Sequence, residues 1–195
     1  METRLRRRTG TILLWLTALT VFAADQATKL WVQRTFRLYE ARSLGDSFPW
    51  NQVGILRTYN TGAAFGILAD YGTFFAVVAV VVILGILVYY RRLPPQQWWL
   101  FLSFGLQLGG AMGNLADRLR LGHVVDLIRV GSFPIFNVAD TAIVSGVLIL
   151  AWHLWREERH EQTSGAEEES VGARFPGNVP DGALPTPDQR MMLEE

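Results

Sequence analysis

The chain has 195 residues, half of them apolar and 18% charged, with a formal net charge of zero and no cysteine. A charged fraction below the roughly 25% of a soluble domain points to a bilayer. The missing cysteine excludes disulfides, thiolate metal sites and a thiol nucleophile. The neutral total hides two unlike parts, because residues 156–195 hold 10 Asp/Glu against 4 Lys/Arg, which leaves residues 1–155 with 14 basic and 8 acidic groups. No stretch is basic enough over enough surface to make nucleic acid a partner.

In chain order, four stretches approach the roughly 20 apolar residues of a spanning helix. The first, residues 11–24, meets Asp25, but Ala27, Leu30, Trp31 and Val32 resume the apolar pattern, which predicts a helix over about 11–30 continuing to the interface. The arginines at 4, 6, 7 and 8 ahead of it also suit a signal peptide. Against cleavage stand the lack of a clean small-residue site before Asp25 and the three spans that follow. A long loop, 32–72, then carries turn formers at Gly45, Pro49, Asn51 and Gly54 and an apolar β-type run over 53–59, predicting a small sheet-like element. Further spans are expected at 73–90, 97–116 and 138–155, separated by a basic turn at 91–96 and a segment at 116–136. Beyond Arg159 the sequence is rich in Glu, Gly, Pro and Ser without apolar periodicity, which reads as disorder.

The expected fold class is an all-α integral membrane protein with four transmembrane helices, a small extracytoplasmic β-rich cradle and a disordered C-terminal tail. Its parts are a four-span domain over 1–158 and an acidic tail over 159–195. Basic residues tie at eight a side. Their density before the first span and in the 91–95 loop selects an orientation with both termini inside. Asp25, Asp126 and Asp140 then share the outer face, and inverting the protein moves all three together.

Ionisable groups at membrane depth are costly and mark function by default. In the third span Gly105, Gly109 and Gly113 form a small-residue ridge for close helix approach. Beyond it Asn114, Asp117 and Arg118 share a helix face, where an internal ion pair of Asp117 with Arg118 or Arg120 is the favoured reading of Asp117. Asp126 lies among aliphatic and β-branched neighbours, which raise a carboxyl's pKa by desolvation. Asn137 and Asp140, three apart at the start of the fourth span, equally form a variant of the capping box. Two carboxyls brought together can share a proton, one acting as general base on water and the other polarising a carbonyl. No Gly-x-Ser-x-Gly elbow supports a serine enzyme, and no His-Glu-x-x-His spacing supports a metal at His123. These residues alone leave open a non-enzymatic four-helix protein, a small transporter or assembly factor, whose polar cluster ties helices together or relays protons.

Four blocks narrow the choice: Asp25-Gln26-Ala27-Thr28-Lys29; Asn60-Thr61-Gly62-Ala63-Ala64-Phe65-Gly66; Gly109-Gly110-Ala111-Met112-Gly113-Asn114-Leu115-Ala116-Asp117-Arg118 continuing to Val124-Val125-Asp126; and Phe133-Pro134-Ile135-Phe136-Asn137-Val138-Ala139-Asp140. In this order, between four spans, they resemble the lipoprotein signal peptidase (signal peptidase II) family. The resemblance implies an aspartic endopeptidase of the bacterial inner membrane, multi-pass, with its site at the extracytoplasmic face. Such an enzyme cuts prolipoproteins on the amino side of a diacylglyceryl-modified cysteine. It implies Asp126 and Asp140 as catalytic pair, with Asp25, Lys29, Asn60, Gly62, Gly110, Asn114, Asp117, Arg118, Asn137 and Ala139 supporting the site or the substrate. The expected partners are the diacylglyceryl prolipoprotein and membrane lipid, with no cofactor, no metal and a monomeric chain. Two departures stand out: the segment between Asp126 and Asp140 is shorter than usual for the family, and the acidic tail is longer.

Overall fold

The structure is a computed structural model that describes residues 1–61 and 72–174. Four long helices and three short strands follow one another as α1 (Glu2–Thr35), β1 (Ala41–Ser43), β2 (Val53–Asn60), α2 (Gly72–Tyr89), α3 (Trp98–Leu121), β3 (Val124–Val130) and α4 (Val138–Arg174). By internal packing the chain divides into the units Met1–Ala151 and Trp152–Glu195. Helix α1 runs unbroken through Asp25, as the resumed apolar pattern predicts.

Helix α3 is the centre of the first unit. The glycine ridge explains how: a Cβ on Gly105 would stand 2.7 Å from the Leu14 carbonyl oxygen, and one on Gly109 would stand 2.5 Å from that of Ala18. On the opposite side a Cβ on Gly110 would collide with the Ala139 carbonyl of α4. Three backbones therefore meet at distances only glycine permits, with Leu14, Ala18, Phe101 and Leu108 filling the core between them. Ser103 donates to the Gly146 carbonyl at 2.7 Å, which pins α4 lower down.

Among the described residues three helices, Glu2–Thr35, Gly72–Arg92 and Val138–Glu157, are long and apolar enough to cross a membrane, whereas four crossings are expected from sequence. Helix α3 falls outside this set because of the side chains it packs against its neighbours. It buries Ser103, five of its residues as Gly or Ala, Asn114 and Asp117, so its polar and small side chains lower its hydropathy. Helix α4 continues to Arg174, so residues 159–174, read from composition as a disordered tail, are helical. The stretch holds four Glu, two Ala and one Gln, which are good helix formers even without an apolar face. Residues 175–195 of the expected tail lie outside the described residues.

The β-type run at 53–59 is strand β2. It pairs antiparallel with β1 on one side and β3 on the other, in the order β1-β2-β3. The third strand comes from the segment after α3. There Gly122, at φ +78°, ends the helix in the left-handed region and turns the chain into Val124. The sheet packs Val125 and Leu127 on Val32 and Phe36 at the end of α1.

Candidate active site

Asp126 and Asp140 come from different elements and converge through shared amides. Asp126 sits in the buried stretch of β3, opposite Thr58 of β2. Asn60, at the end of β2, donates its Nδ2 to Asp126 Oδ2 at 3.0 Å. Asp140 lies in the first turn of α4, closed by a reciprocal cap in which its N–H donates to Asn137 Oδ1 at 2.9 Å and the Asn137 N–H donates to its Oδ2 at 3.3 Å. The same Asn137 donates Nδ2 to Asp126 Oδ1 at 2.7 Å and to Asn114 Oδ1 at 3.2 Å, and Asn114 Nδ2 donates to Asp140 Oδ1 at 2.7 Å. Capping and the convergence of two carboxyls are thus one arrangement, with three asparagine side chains as the connectors.

Asp126 is 2% exposed, and burial pushes its carboxyl up to about pH 6. The charge of Asp140 adds to the rise, while the Asn60 and Asn137 amides and the more distant Lys29 ammonium oppose it. Arg118, half-buried on α3, feels the charge of Asp140 first, then of Asp126 and Asp117. Its guanidinium lies 5.6 Å from the centre of the Phe75 ring, and its buried Nε has no hydrogen-bond partner among the described residues. Asn60, Asn114, Arg118, Asp126 and Asp140 line one side of a cavity of about 530 Å³, and Phe75, Val124, Phe133, Ile135, Phe136 and Val144 supply apolar walls.

The other sequence-predicted residues lie beneath this surface. Asp25, Lys29 and Asp117 are 0–2% exposed and absent from the cavity wall. Asp117 does not pair with Arg118 or Arg120. Its partner is Lys29 of α1, at 3.0 Å, because Arg118 turns to the cavity and Arg120 donates to Gln26 Oε1 at 3.1 Å. Gly110 and Ala139 mark the contact between α3 and α4. Gly62 lies outside the described residues. Among the described residues no group of three or more His, Cys, Asp or Glu is placed to hold a metal ion, and the His123 ring stacks on Tyr59 with centroids 4.0 Å apart. Sequence reasoning passed over Gln26, whose amide reaches both Asp25 and Asp117, although it stands inside a matched block. Of the apolar wall, Val124, Phe133, Ile135 and Phe136 stand inside matched blocks without being singled out, and Phe75 and Val144 look in local sequence like ordinary membrane or core residues.

Apolar helices long enough to cross a bilayer, with a cavity floored by coupled carboxyls beside them, define the class: a membrane-integral enzyme with acid–base groups in an apolar setting. Comparison with known proteins gives the particular family. The family described as signal peptidase (SPase) II matches residues 17–156. A lipoprotein signal peptidase of Moorella thermoacetica is 46% identical over 139 residues, covering 71% of this chain and 90% of that protein. One of Pseudomonas putida is 42% identical over 158 residues, covering 76% and 89%. Two solved structures of a bacterial membrane enzyme obtained by the in meso method align with TM-scores of 0.67 and 0.63. Their identities are 29% and 30%, covering 73% and 71% of this chain and 87% and 90% of theirs. The chain belongs to the signal peptidase II family. It is a membrane-integral bacterial aspartic peptidase of the kind that removes signal peptides from prolipoproteins.

Proposed function

We propose that the protein cleaves diacylglyceryl-modified prolipoproteins on the amino side of the lipidated cysteine, with Asp126 and Asp140 activating a water. The observation that carries this is the convergence of the two carboxyls, through Asn137 and Asn114, on one cavity with apolar walls. Burial and the charge of Asp140 push the Asp126 carboxyl up to about 6, so the two carboxyls share one proton, one acting as base and the other as acid. A water between them loses its proton to the ionised carboxyl and attacks the scissile carbonyl while the protonated one donates to the carbonyl oxygen. The tetrahedral gem-diol collapses when the leaving amine is protonated, with no acyl-enzyme. Asn60 and Asn137 hold Asp126, Asn114 holds Asp140, and Arg118 stands ready for substrate carbonyls.

The lipid on the substrate brings the scissile bond to the depth of the dyad, and the apolar walls suit that neighbour. Four helices crossing the inner membrane accommodate this chemistry. At roughly 1.5 Å per residue the 24 residues of α3 reach about 36 Å, and its polar side chains face other helices. The amino-terminal arginines favour cytoplasmic termini, with the 159–195 tail on that side of the domain over 1–158 and the dyad on the extracytoplasmic face. The chain acts as a monomer on prolipoprotein and lipid, without cofactor or metal. The test is the mobility shift of a purified diacylglyceryl precursor in detergent, beside the same precursor without lipid. Equal cleavage of the unlipidated form would remove the lipid requirement from this account.

A further inference from the structure

Beneath the dyad lies a charged cluster that the reaction does not use. Asp25, Lys29 and Asp117 are all buried, with Lys29 Nζ 2.8 Å from Asp25 Oδ2 and 3.0 Å from Asp117 Oδ2. Burying three ionised groups is seldom a net source of stability, since desolvation offsets the Coulomb attraction, so an ionic cluster of this kind calls for another account. Its remaining hydrogen bonds supply one. Asp25 Oδ1 accepts the backbone N–H of Ala139 at 3.0 Å, one residue before Asp140. Asp117 Oδ2 accepts the backbone N–H of Val125 at 3.1 Å, one residue before Asp126. Each carboxylate thus grips the backbone beside one member of the dyad, and Lys29 bridges the two carboxylates.

Lys29 makes a third bond, donating to Asn114 Oδ1 at 3.0 Å. That oxygen also accepts from Asn137, so the oxygen end of the Asn114 amide is committed and its Nδ2 must face Asp140. Gln26 braces the same frame, donating to Asp25 Oδ2 at 3.2 Å and Asp117 Oδ1 at 3.1 Å. The cluster joins α1 and α3 to the first turn of α4 and to β3, the two elements that carry the reacting groups.

We propose that the Asp25–Lys29–Asp117 triad is a caliper that sets the separation and orientation of Asp126 and Asp140, with Lys29 a positioning residue acting through Asn114. This rests on reading Asp126 and Asp140 as the dyad. Two acids that must hold one water and share one proton tolerate little displacement, and a misplacement of about 1 Å costs on the order of 10²-fold in rate. The triad meets that demand by fixing the backbone beside each acid to a common ammonium, with charge-assisted bonds that are stiffer than neutral ones.

The experiment compares two variants of the full chain in detergent, acting on a diacylglyceryl precursor. Lys29→Gln with Asp117→Asn keeps the net charge of the cluster at −1, leaving no second buried carboxylate unpaired. Asp25→Asn keeps an acceptor for the Ala139 N–H but turns an NH₂ toward Lys29 and Gln26, so it loses the charge and both of those bonds. The expected result is a kcat lower by about 10²-fold in the double variant, with KM within about threefold of the parent. The kcat of Asp25→Asn falls between those of the double variant and the parent, and its thermal midpoint drops because the buried Lys29 ammonium loses a partner. Parent-like kcat in either folded variant overturns the caliper, as does a loss confined to KM. The Asp126→Asn and Asp140→Asn enzymes run alongside: if they still cleave, the dyad reading fails, whereas dead Asp variants beside a fully active double variant sink the caliper alone.

Discussion

Replacing Asp126 by Asn removes a carboxyl whose burial is written into its pKa, and stability should show it as a function of pH. The folded protein holds that proton up to about pH 6, while an unfolded chain releases it near 3.8. Between those values the folded state binds more protons than the unfolded state, so this group's contribution is fully present below pH 3.8 and is lost as pH rises through about 6. A shift of about 2 units at 1.36 kcal/mol each is about 3 kcal/mol, and at 2% exposure solvent screening does little to reduce it. Asn fills the same space and accepts from one of the Asn60 and Asn137 amides, but its own NH₂ meets the other donor. That mismatch costs about 1 kcal/mol at every pH and leaves the slope untouched. Thermal unfolding of parent and variant in detergent, from pH 4 to 8, isolates the term. The stability of the parent relative to the variant should fall by about 2 kcal/mol or slightly more across pH 4 to 7, since part of the full amount is already lost at pH 4. A difference that stays flat, or that grows with pH, refutes the burial argument.

Asn137→Ala removes the helix cap and the bridge between the acids together, so unfolding should become easier by about 1–2 kcal/mol while cleavage of the precursor falls much further than that loss explains. Gly109→Ala places a methyl group 2.5 Å from the Ala18 carbonyl oxygen and 2.8 Å from Val21 Cβ, and its thermal midpoint should drop by an amount equivalent to about 1–3 kcal/mol. Gly85→Ala on α2, where nothing lies within 4 Å, should instead leave the midpoint unchanged or raise it through helix propensity. Because the pair must keep one proton to donate to the carbonyl, kcat/KM should decline as pH rises, along a limb whose apparent pKa is about 6 or higher. A profile that climbs through this range would refute the shared proton.

Much of the site is written locally and was legible for that reason. The Asn137–Asp140 spacing encodes a cap, Gly105-x-x-x-Gly109-x-x-x-Gly113 encodes a close helix crossing, and both appear as read. The β-type run over 53–59 likewise forms β2, but its local pattern does not disclose the partner β3, because strand pairing depends on distant neighbours such as Val124 opposite Asn60 and Asp126 opposite Thr58. Partner choice is what local patterns lack. Asp117 was assigned to an arginine on its own helix face, and it pairs instead with Lys29 across the α1–α3 contact. The helix over 159–174 was missed for another reason: composition registers the absence of an apolar face, while helix propensity needs no such face.

The most direct test of the central claim is the single-turnover rate on a diacylglyceryl precursor for the parent, Asp126→Asn, Asp140→Asn and Asp117→Asn. Loss of a dyad carboxyl should reduce the rate to background in both dyad variants while they remain folded, and Asp117→Asn, which touches neither water nor substrate, should retain measurable cleavage. Persistent cleavage by either dyad variant, or an Asp117→Asn enzyme as inert as they are, would contradict the account.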